Sequence, residues 1–95
     1  MSDAEENKKG MFIVSRDSIA EVRRLMARDT EACVFLVGRG ILLPVDPLFT
    51  GRKVYALAEE AKFMGVANKG GKGFELVDAD RMVNMLLEHK LYNFG

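Results

Sequence analysis

The run Ala32-Cys33-Val34-Phe35-Leu36-Val37 constrains this chain more than any other segment, because it contains no polar residue. Cys33, Phe35 and Val37 alternate with Ala32, Val34 and Leu36, so an extended backbone here is apolar on both sides. A central strand covered on both faces of a sheet meets that requirement, and an amphipathic edge strand does not. The run stops at Gly38-Arg39-Gly40, where missing Cβ atoms permit a tight turn or a close backbone approach. Open parallel sheets put their binding crevices at the carboxyl ends of their strands. Any functional surface is therefore expected near this turn, with Arg39 and Gly40 as candidate partner or ligand contacts.

The remaining segments supply the neighbours such a strand needs. Residues 1–10 mix charges without apolar periodicity and read as a flexible lead-in to a domain over 11–95. Met11 to Val14 favours a first strand, and Ser15-Arg16-Asp17 turns away from it. Ser18 and Glu21 have capping-box spacing, and Ile19, Val22, Leu25 and Met26 fall on one helical stripe ending near Asp29 and Thr30. After Leu43, Pro44 and Pro47 restrict the backbone around Asp46, which suits the cap of a short turn. Lys53 to Leu57 reads as a strand, Glu59 to Met64 as a helix stopped by Gly65, and Phe74 to Val77 as another strand. Asp78 caps a final helix with Met82, Met85, Leu86 and His89 on a broad face that Val83 and Leu87 widen. Strands alternating with helices predict an α/β fold, a small open, mainly parallel sheet flanked by helices.

Composition narrows the functional classes. Ninety-five residues make one domain. Fourteen basic and fourteen acidic side chains cancel, which removes the strong positive balance of a dedicated nucleic-acid binder. No apolar run approaches the roughly 20 residues needed to cross a bilayer. The amino end is polar and charged, and a single cysteine cannot close an internal disulfide; both fit a cytoplasmic protein.

The apolar strand leading into Val37-Gly38-Arg39-Gly40-Ile41, then Lys53 to Leu57 with Glu59, Glu60 and Phe63-Met64-Gly65, then a strand and helix across Phe74 to Leu87, resembles the DsrH/TusB branch of the DsrE-like sulfur-relay superfamily. The likeness spans Met11 to Gly95 and lies in the order and spacing of the segments. It implies a Rossmann-like fold of the DsrE type, without a nucleotide fingerprint. It also implies cytoplasmic subunits that assemble with copies of themselves or with related DsrE-like subunits, and an accessory role in passing persulfide sulfur. The pathways implied are tRNA wobble-uridine thiolation, an indirect association with tRNA, or sulfur oxidation. Where members of this branch carry a relay cysteine, it lies near the start of the first helix, and Ser15 to Ala27 contains none. Arg39 also stands where relatives often present an acidic residue before glycine.

Individual side chains define the alternatives. Cys33 is the sole candidate persulfide carrier, but inside an apolar strand a free cysteine behaves as a small hydrophobe with a raised pKa, so that role is disfavoured. Arg39 between two glycines has the fork that binds a carboxylate or phosphate. The segment Lys69-Gly70-Gly71-Lys72-Gly73 invites a phosphate-loop reading. Gly65 and Gly70 have the right interval, yet Gly71 stands where lysine is required and no Ser or Thr completes the motif. Lys69 and Lys72 therefore read as a basic loop available to a partner or RNA phosphate. His89 reads as a polar helix terminus, since no nucleophile and acid flank it. One cysteine and one histidine argue against a dedicated zinc site, and no cofactor or metal is expected. The alternative reading is a homomeric ligand-binding or regulatory module of the same fold.

Overall fold

The computed structural model describes residues 8–43, 48–49, 51–63, 65 and 74–94. The elements are β1 (Gly10–Val14), α1 (Ile19–Met26), β2 (Cys33–Leu36), a 3-10 helix (Gly38–Leu42), β3 (Val54–Leu57), α2 (Ala58–Phe63), β4 (Glu75–Val77), α3 (Ala79–Glu88) and β5 (Lys90–Phe94). The five strands form one parallel sheet in the order β4-β3-β2-β1-β5. The apolar run thus lies at the centre, with Val34 paired to Phe12 on one side and to Val54 on the other.

Strand order fixes where the helices go. The chain steps in one direction from β1 to β4 and then returns past β1 to lay down β5. Right-handed crossovers travelling in opposite directions place α1 and α3 on opposite faces. The packing agrees. Val22 and Met26 of α1 join Phe12, Val14, Val34, Leu36, Val54 and Ala56 on one face, together with Ile41 and Phe49. Met85 of α3 joins Met11, Phe35, Tyr55 and Val77 on the other. Phe12 and Phe35 are buried from opposite sides of the sheet, each burial being worth roughly 1.5–3 kcal/mol.

Local signals at the helix starts act as their residue types dictate. The Ser18 hydroxyl accepts from the Glu21 backbone N–H at 3.4 Å. The Glu21 carboxylate accepts from Arg16 at 3.3 Å, so it does not return to the cap. Asp78 accepts from the Arg81 N–H at 2.8 Å and starts α3. Gly65, at φ 79°, follows α2 with its N–H on the Lys62 carbonyl at 3.1 Å.

Four readings of the sequence need correction. The first helix ends at Met26 rather than near Asp29 and Thr30. Arg52 takes the carbonyls of Met26, Asp29 and Ala32 and turns the chain early into β2. Gly38 to Leu42 leaves the strand as a 3-10 helix, within which Gly40 makes the expected close backbone approach, to the Val14 carbonyl. Cys33 is the first residue of β2, not its middle, and is half-buried. The chain also adds a strand after α3: β5 pairs in parallel with β1 along its whole length, and the Lys90 N–H reaches the Lys9 carbonyl at 2.8 Å. No glycine or proline separates α3 from β5, so the usual mark of a boundary is missing. β1 itself starts at Gly10, the last residue of the segment read as lead-in.

Candidate functional site at the carboxyl end of the sheet

Loops following β1, β2 and β3 meet around Gly38-Arg39-Gly40. Gly38 adopts φ 52°, in the left-handed region that glycine occupies without a Cβ penalty. The Val37 N–H, just before it, extends the β1–β2 ladder by donating to the Val14 carbonyl at 2.9 Å, and Gly38 then bends the chain. Gly40 is then carried against the same carbonyl, where a Cβ would collide with the Val14 oxygen. The two glycines therefore serve different ends, one the turn and the other the contact with β1.

The turn is tied to both neighbouring loops. The Gly38 N–H faces both carboxylate oxygens of Glu60, in the first turn of α2, at 3.4 Å each. Arg39 donates from Nε and Nη2 to one Asp17 oxygen at 3.2 and 3.1 Å. Asp17 follows β1, where strand order reverses between β1 and β5, the position at which open α/β sheets form their ligand crevice. Arg39 thus lies at the carboxyl end of the sheet with a side chain 74% exposed. Its guanidinium suits a carboxylate or phosphate. Asp17 and Glu60 were not singled out from sequence; the available signal was that each closely follows a strand on the functional edge.

An exposed pair of this kind contributes roughly 0–1 kcal/mol. Arg39→Ala should consequently shift the urea midpoint by no more than about 1 kcal/mol equivalent. A larger loss would identify Arg39 as a structural tie between the β1 and β2 loops.

Cys33 stands at the opposite, amino end of the sheet, paired with Met11 of β1. Its Sγ lies 3.8 Å from the Gly10 carbonyl oxygen. Burial pushes the thiol above its ordinary value, outweighing the backbone hydrogen bond and Lys53, which pull it down. Tyr55, on the same face of the adjoining strand, has its hydroxyl pushed up by burial first and then by Cys33 and Glu75, with Arg81 opposing. Both groups hold their protons at neutral pH, the reverse of what an attacking thiolate requires.

The other candidates disperse. His89 closes α3, and its Nδ1–H donates to the Met85 carbonyl at 2.7 Å. Asp46, Lys69 and Lys72 lie outside the described residues. Among the described residues, no group of three or more His, Cys, Asp or Glu side chains is placed to hold a metal ion. No helix among them is long and apolar enough to cross a membrane. No protein-family model matches the chain, and no match to it was found among curated proteins or solved structures.

Proposed function

We propose that this chain is an accessory subunit of a DsrE-like sulfur-relay assembly in the cytoplasm. It supports persulfide transfer between cysteine-bearing partners without carrying the sulfur itself. The transfer would lead toward tRNA wobble-uridine thiolation or run within sulfur oxidation. The observation that carries the non-carrier part is the position of the single thiol: half-buried, raised in pKa, and at the end of the sheet away from the glycine turn. A chain so built needs another subunit to supply the nucleophile.

The outer side of α3 supports assembly, since Val83 and Leu87 are 50% and 67% exposed one helical turn apart. Purification under native conditions tests this reading. The expected particle is larger than a monomer and contains a cysteine-bearing subunit of related fold. A monomer that ignores such subunits when they are supplied removes the proposal.

The second reading, a homomeric ligand-binding or regulatory module, is favoured by the exposed Arg39 guanidinium at the carboxyl end of the sheet. Under that reading Arg39→Ala weakens an anionic ligand and leaves assembly unchanged.

A further inference from the structure

β5 closes one side of the sheet, and among the described residues nothing pairs with its outer edge. The Lys90 N–H donates to the Lys9 carbonyl at 2.8 Å, which turns the backbones of Lys90 and Tyr92 toward β1 and, by alternation, those of Leu91 and Asn93 outward. Both outward residues are exposed. Natural sheets blunt such edges with proline, a bulge, charged side chains or a very short strand. β4, the other edge, is three residues long and carries the charged Glu75. β5 has five residues, pairs with β1 along its whole length without a bulge, and holds no proline. Its one charge is at the first position, Lys90.

The apolar surface beside this edge lies on the α3 face. Leu91 is in register with Met11, shares its side of the sheet, and is 43% exposed. Arg81 reaches Glu75 of β4 at 3.1 Å, so that flank of α3 faces β4. At 3.6 residues per turn Val83 and Leu87 fall on the far flank, the one toward β5. The exposed side chains of Val83, Leu87 and Leu91 therefore line the same side of the molecule as the unpaired backbone.

We propose that a second copy of this chain covers this side, its β5 pairing antiparallel with β5 about a two-fold axis through Tyr92. The strand is complementary to itself in that register. Leu91 of each copy stands opposite Asn93 of the other, and the N–H and carbonyl bonds they exchange satisfy every outward group on both strands. The two Tyr92 side chains face each other on the α1 side as an aromatic cross-strand pair. The two Lys90 residues fall at opposite ends of the ribbon, about 13 Å apart along it, beyond the ~10 Å over which like charges repel at about 0.1 M salt. The same axis turns Val83, Leu87 and Leu91 toward their counterparts. The inference rests on the assembly part of the proposed function, whose α3 surface it shares, and involves no sulfur chemistry.

Sedimentation equilibrium of the full chain alone, at micromolar concentration, should show a dimer. Asn93→Pro should weaken it about tenfold or more, since the outward N–H it removes provides half of the hydrogen bonds between the copies. The fold should survive, because an edge strand tolerates proline where its N–H points to solvent. The double variant Leu42→Lys/Phe63→Lys, which alters two exposed apolar residues away from β5, should change the dimer constant less than about threefold. Circular dichroism checks folding. Should the proline variant misfold, amide exchange of the unaltered chain decides: Leu91 and Asn93 should be protected in the dimer and lose that protection on dilution. A monomer, a dimer indifferent to Asn93→Pro, equal loss in the Leu42 and Phe63 variant, or an open-ended series of larger species would each overturn the proposal. The relay reading falls separately, only if the chain ignores added cysteine-bearing subunits.

Discussion

Gly40→Ala should cost the domain about 3 kcal/mol or more, at the top of the range for overpacking a well-filled interior. The added methyl would meet the Val14 carbonyl oxygen, and that oxygen already accepts the Val37 N–H at 2.9 Å. Backbone stands on both sides of the collision, so no flexible side chain can yield. Gly38→Ala provides the contrast. A Cβ there meets nothing within 4 Å, and the only penalty is the positive φ of 52°, which costs roughly 1–2 kcal/mol. Urea unfolding of the two variants should rank them in that order. Equal losses would mean that turn conformation, and not contact with β1, is what this segment requires.

Arg52→Ala should destabilise the fold by about 2–4 kcal/mol, since carbonyls deprived of a charged donor are left partly desolvated. Nη1 donates to the Asp29 and Ala32 carbonyls at 2.7 and 2.8 Å, and Nη2 to Met26 at 2.7 Å. The guanidinium also lies 5.8 Å from the centre of the Phe12 ring. One planar group thereby closes the end of α1, fixes the turn into β2 and covers part of the core. Arg52→Lys should recover less than half of the loss, because an ammonium lacks the fork that reaches carbonyls in separate directions. Thermal unfolding of both variants checks this. A loss below about 1 kcal/mol for Arg52→Ala would show that water replaces the guanidinium readily.

Residues 32–37 revealed the central strand because burial on both faces leaves a pattern with no polar position. Ser18 and Asp78 marked the helix starts because their side chains bond only a few residues ahead. Arg52 was invisible for the opposite reason. Its acceptors lie 20 to 26 residues away along the chain, and nothing local records them. β5 was missed because Lys90 to Phe94 becomes a strand through pairing with β1, while His89 alone makes the turn. At the candidate site, Arg39 and Gly40 stood out from their glycine setting. Asp17 and Glu60 became part of the site only once strand order brought the β1 and β3 loops to that turn. The partly exposed state of Cys33 was likewise a matter of where β2 begins.

Whether the chain itself carries sulfur is decided by incubating the isolated native protein with a persulfide donor, weighing it intact, and then adding an acceptor. Cys33 should remain unloaded on the timescale at which a cysteine-bearing relay partner loads, because its thiol stays protonated and is only partly accessible. Cys33→Ala should leave transfer by the reconstituted assembly unchanged. Rapid, stoichiometric loading of Cys33, with transfer lost in the alanine variant, would contradict the accessory role proposed above and make this chain the carrier.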